Sequence, residues 1–132
     1  MIVMQNEYII LERDPSLSLL RFARTKRPYP LNEETGEVIQ RLSEAFDALQ
    51  RERHKLLIDM REAPLRNDEG FESFATPSLA RLFAGFVKTA ILVRTAVGEL
   101  QFSRLRREGK MSAPESNVFR DEAAALAYLQ AA

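Results

Sequence analysis

Asp59, Arg61, Arg94 and Thr95 are the residues whose types and spacing best suit chemistry in this 132-residue chain. Asp59 closes the apolar run Leu56-Leu57-Ile58, and Arg94 follows a second such run, Thr89 to Val93. Both runs have the signature of strands covered on both faces. In open α/β sheets, ligands sit outside the carboxyl ends of the strands. With the two runs side by side, Asp59, Arg61 and Arg94 would converge on a polar site whose guanidinium forks suit carboxylate or phosphate. A weak hydrolase would use Asp59 and Arg94. The plainer alternative is a structural Asp-Arg pair tying loops together, because ion pairs within a fold give the same signal.

Other chemistry finds little to work with. His54 is the only histidine, and it precedes the third expected strand, at the end opposite the one where chemistry is expected. Nucleophile-base catalysis needs a base within hydrogen-bond reach of its nucleophile. With no cysteine and one histidine, a zinc site would have to be built almost wholly from carboxylates. The five glycines are scattered and form no phosphate loop. The expectation is therefore no catalytic residue, no metal and no cofactor.

Lysine plus arginine and aspartate plus glutamate each total 19, so no overall field attracts nucleic acid. Two basic clusters, Arg21-Arg24-Lys26-Arg27 beside Tyr29 and Arg104-Arg106-Arg107-Lys110, would be the local exceptions. The second suits a helix C-terminus. Phe71, Phe74, Phe83 and Phe86 fall on one helical pattern; they read first as core, and second as the lining of a pocket for a small apolar ligand. Met1 to Asn6 lacks a signal-peptide pattern, and no apolar run approaches the ~20 residues that span a bilayer. Together with the absence of cysteine, this reads as a cytoplasmic chain with no membrane span.

The elements that must position these residues follow from periodicity. Tyr8 to Leu11 and Leu17 to Phe22 flank Asp14-Pro15-Ser16 and predict a β-hairpin. After a proline-bearing loop, Val38, Leu42, Ala45, Phe46 and Leu49 recur at three- and four-residue steps from Asn32 onward, an amphipathic helix. A second helix follows Asp68, restarting at Thr76-Pro77, and a third follows Gly98 and stops near Gly109. Asn117-Val118-Phe119 is a short strand, and Asp121 caps a last helix bearing Leu126, Tyr128 and Leu129. The order β-β-α-β-α-β-α-β-α over 1–132 describes a single α/β domain with parallel strands and right-handed crossovers.

The strand ending in Asp59, the phenylalanine-bearing helix, the strand Ala90-Ile91-Leu92-Val93 and the closing Val118-Phe119-Arg120-Asp121-Glu122-Ala123 with Ala127-Tyr128-Leu129 resemble the SpoIIAA-like branch of the STAS/SEC14-like superfamily. The resemblance spans nearly the whole chain. It implies a five-stranded mixed sheet packed by four helices, and relatives that are anti-sigma-factor antagonists, sensory or scaffold modules, or binders of small apolar ligands. Phosphorylated antagonists carry a serine in an aspartate-serine-serine-glycine stretch at the start of the helix after the third strand. Here that stretch reads Asp68-Glu69-Gly70, with no serine or threonine from Met60 to Glu72. The phosphoserine switch is therefore not expected, although Glu69 could mimic its charge.

The chain thus reads as a non-catalytic regulatory or interaction module acting by protein-protein contact. Its recognition surface would run from Asp59 to Phe74, and its outer hairpin strand would serve as a homodimer edge partly blunted by Glu7 and Glu12. The alternatives are a carrier or sensor of a small apolar or anionic ligand, and a weak hydrolase.

Overall fold

A computed structural model describes residues 1–27, 33–63, 82–97, 99–100 and 116–131. Six strands, β1 (Ile2–Gln5), β2 (Ile9–Asp14), β3 (Leu19–Arg24), β4 (Lys55–Asp59), β5 (Lys88–Leu92) and β6 (Ser116–Phe119), form one sheet in chain order. The first three pair antiparallel; β3 to β6 pair parallel. Two helices are described in full, α1 (Glu33–Ala48) and α2 (Glu122–Gln130). The fold is thus α/β with a mixed sheet.

The strand count corrects the expected five. The additional strand is β1, joined to β2 through Asn6, whose Oδ1 accepts from the backbone N–H groups of Tyr8 (2.8 Å) and Ile9 (3.0 Å). This Asx turn fixes the reversal. The hairpin around Asp14 forms as expected: Asp14 Oδ1 accepts from Ser16 N and Oγ, and Ser18 leaves the turn at φ 51° before β3 begins at Leu19. Helical residues appear from Ala96, before Gly98, where the sequence placed a start after that glycine. The rest of that helix, and the one expected after Asp68 as far as residue 81, lie outside the described residues. Of the latter's expected end Leu82 is helical, but Phe83 to Phe86 are not, and Gly85 sits at φ +88°.

Strand alternation sorts the sheet into two faces. Leu20, Phe22, Leu56, Ile58 and Ile91 point into the larger core with Val38, Ile39, Leu42 and Phe46 of α1 and with Leu82, Phe83 and Phe86. Leu19, Leu57, Ala90 and Leu92 point the other way, onto Ala125 and Leu129 of α2. Each fully buried Leu or Phe side chain contributes roughly 1.5–3 kcal/mol, so the larger cluster dominates stability. β4 and β5 are buried on both faces and pair Ile58 with Ile91, which sets the two apolar runs side by side at the centre of the sheet.

Arg51 fastens the end of α1 to the segment before β5. Its guanidinium donates to Asp47 Oδ1, Ser43 O and Oγ, Leu82 O and Ala84 O. It also lies 5.5 Å from the ring centroids of both Phe46 and Phe86. Gly85, at φ +88°, brings the backbone close to this side chain; a Cβ there would stand 3.1 Å from Arg51 Cδ.

Candidate functional site

Arg21 alternates with Leu20 and Phe22 along β3, so when those two enter the large core Arg21 must face α2. In the parallel register Arg21 lies opposite Leu57 and Ala23 opposite Asp59, so Arg21 and Asp59 are diagonal neighbours on one face. The third contributor is Glu122, first residue of α2. Asp121 starts that helix by accepting from Ala124 N at 3.1 Å. At the far end Lys88 Nζ donates to Tyr128 O (2.8 Å) and Ala131 O (3.3 Å), and Lys55 Nζ to Gln130 Oε1. Acidic residues at its start and lysines at its end suit the helix dipole and lay α2 antiparallel to β4.

At this rim two guanidiniums meet two carboxylates. Arg61 grips Asp59 with both prongs, Nε to Oδ1 at 3.0 Å and Nη2 to Oδ2 at 2.8 Å, while its backbone N–H donates to Oδ1. Arg21 Nη2 donates to Asp59 Oδ2 at 3.2 Å and also to Glu122 Oε1. Arg61 Nη2 lies 3.5 Å from the same Glu122 oxygen. Asp59 sits beneath, its side chain 12% exposed, whereas those of Arg61 and Glu122 are 37% and 38% exposed. Burial on its own would raise the Asp59 pKa, but the hydrogen bonds and charge of Arg61, with help from Arg21, hold it below the ordinary 3.8. Its partner moves in the opposite sense: the bond to Asp59 raises the Arg61 guanidinium.

The structure therefore unites Asp59 with Arg61 and adds Arg21, which holds a further bond to Asp59. Arg94 is exposed beyond β5 and makes no ion pair among the described residues. Asp59 pairs in register with Leu92, and its oxygens are taken up by Arg61 and Arg21. Thr95 is exposed too; its carbonyl accepts from Glu99 N and opens the helical turn at Ala96. Asp68, Glu69, Phe71 and Phe74 lie outside the described residues. Arg21 and Glu122 were not assigned to the rim from sequence. The alternation of Arg21 on β3 was a usable signal for the first, but nothing local pointed Glu122 towards Asp59.

The first basic cluster disperses. Arg21 joins the rim, while Arg24 is buried on the opposite face, donating to Tyr8 O and Arg27 O. Lys26 pairs with Glu62 and Arg27 with Glu7. No continuous basic surface results among these four; Arg104, Arg106, Arg107 and Lys110 lie outside the described residues. Phe83 packs against Phe22 and Phe86 edge-on against Phe46, both within the larger core. His54 is buried before β4, at the end of the strand remote from the rim, with Nδ1 3.0 Å from Gln50 O.

No helix among the described residues is long and apolar enough to cross a membrane. No family model, curated protein or solved structure matches the chain.

Proposed function

We propose that this chain is a non-catalytic interaction module of the cytoplasm, and that its rim of Arg21, Asp59, Arg61 and Glu122 receives an acidic segment of a protein partner. One observation carries the reading: two part-exposed guanidiniums converge on a single carboxylate oxygen of Glu122 above a buried Asp59. Asp59 offsets one positive charge from below, and Glu122 occupies the position that a partner's carboxylate would take. Planar guanidinium forks suit such an exchange because each can trade one oxygen for another without moving its backbone.

The state of Asp59 supports binding over catalysis. A carboxylate with both oxygens engaged by arginine, and a lowered pKa, makes a firm charge anchor and a poor general base. Its place outside the carboxyl ends of parallel strands is where α/β sheets hold ligands. The resemblance to SpoIIAA-like STAS modules, whose relatives act through protein contacts, is in keeping with this reading, and the absence of cysteine supports the cytoplasmic setting.

The test is affinity capture from an extract of the source cell, with the partner identified by mass spectrometry. Wild-type chain should retain a partner that is released by salt; the Arg21→Ala/Arg61→Ala double variant, shown to be folded by circular dichroism, should lose it. Glu122→Gln should keep or strengthen the capture. An unchanged partner set with the folded double variant would overturn the proposal.

A further inference from the structure

The strand at the open side of the sheet is β1, not the Tyr8–Leu11 strand that the sequence suggested, and this changes what the edge presents. Glu12, expected to blunt the edge, lies on β2 inside the sheet, opposite Arg21. Residues 1–6, Met-Ile-Val-Met-Gln-Asn, contain no charged side chain and no proline. Ile2 is 55% and Val3 38% exposed.

The main chain shows which groups are open. Arg13 N donates to Met1 O beside the pair Ile2↔Glu12, and Asn6 N donates to Ile9 O beside the pair Gln5↔Ile10. Bonds in those positions mark both pairs as the non-hydrogen-bonded kind of an antiparallel ladder. Ile2 and Gln5 therefore turn their own N–H and C=O groups away from β2, and nothing among the described residues meets them. The register shift between Ile2 and Met4 twists this edge but leaves those groups open. The opposite edge, β6, differs: Glu115 precedes it, and Arg120, Asp121 and Glu122 follow at once. Charged side chains adjoin that strand directly at both ends and blunt it, whereas at β1 the Met1 ammonium is taken up by Arg13 O and the nearest charged side chain, Glu7, stands two residues beyond Gln5.

We infer that β1 pairs antiparallel with β1 of a second copy of this chain, joining two six-stranded sheets across a two-fold axis. A strand without charged side chains offers little to select an acidic or basic partner, whereas its own copy presents the same apolar side chains and the same open donors and acceptors, as an isologous contact requires. The contact is small beside a standard interface of about 1,600 Å². It should therefore form reversibly, with a Kd of roughly 1 μM or weaker. The dimer uses neither arginine of the rim, so it stands or falls independently of the proposed function.

Sedimentation velocity of the full chain from about 5 μM to 1 mM, a range set to bracket that affinity, tests this. Wild type should shift from monomer to dimer across the range. Ile2→Pro/Gln5→Pro removes both outward donors without deleting a β1–β2 bond and should stay monomeric, with its fold checked by thermal melting. Should the prolines unfold the chain, Ile2→Lys keeps the strand and sets like charges on the joined edges; it too should stay monomeric. The Arg21→Ala/Arg61→Ala chain should dimerise as wild type does. A wild-type monomer at every concentration, or a dimer that persists in the folded edge variants, overturns the inference.

Discussion

On one face of the sheet α1, Leu82, Phe83 and Phe86 cover Leu20, Phe22, Leu56, Ile58 and Ile91 with apolar side chains; on the other, α2 rests on Leu19, Leu57, Ala90 and Leu92 and is oriented at both ends by charge. The first face gains its stability from area, which tolerates no rearrangement. The second has less apolar area and fixes its helix through Arg21, Asp59, Arg61 and Glu122 at one end and Lys55 and Lys88 at the other. Polar contacts of this kind can exchange partners, which is what the proposed recognition at the rim requires.

The largest effect should come from Phe46, fully buried and edge-on to Phe86. Phe46→Ala should cost about 3–5 kcal/mol in urea unfolding, and Leu129→Ala, equally buried but on the nine-residue α2, about 2 kcal/mol, because a short terminal helix can settle into the space. Equal losses would erase the difference between the faces.

Arg51 sharpens the comparison from the apolar side, since there a cation serves packing. Arg51→Ala should cost about 2–3 kcal/mol by leaving the carbonyls of Leu82, Ala84 and Ser43 without their donor. Arg51→Lys should recover little of it, because one ammonium cannot replace a planar fork that bonds in three directions.

On the polar face, Asp59→Asn should cost about 1–2 kcal/mol at pH 7 by weakening its charged hydrogen bonds. Because folding lowers the Asp59 pKa, wild type holds this stability above the ordinary value of 3.8 and loses it as pH falls through the lower folded value. The gap between wild type and Asp59→Asn should therefore be constant near neutrality and close below pH 3.8. Urea unfolding of both chains across that range measures it. A gap that stays open in acid would show Asp59 acting by shape and not by charge.

Periodicity and turn chemistry made much of this fold legible. Leu56-Leu57-Ile58 and Thr89 to Val93 could be assigned as buried strands, Asp14-Pro15-Ser16 as a turn and Asp121 as a helix cap, because each of these depends on a few consecutive residues. β1 escaped because four residues show too little alternation, and a strand so short is stable only when a neighbour pairs with it. The rim was half legible: Asp59 and Arg61 are two residues apart, but Arg21 lies 38 residues from Asp59 and 101 from Glu122.

By its order of residues alone, then, this chain determined the two central strands, the turn at Asp14 and the cap at Asp121, and that a carboxylate and a guanidinium stand just beyond a central strand. Tertiary structure decided which cation joins them. Strand register placed Arg21 beside Asp59, the packing of α2 brought Glu122 over both arginines, and the turn after β5 left Arg94 in solvent. The physical reason is that backbone conformation responds to near neighbours, whereas an ion pair forms with whatever charge the folded sheet carries within about 4 Å.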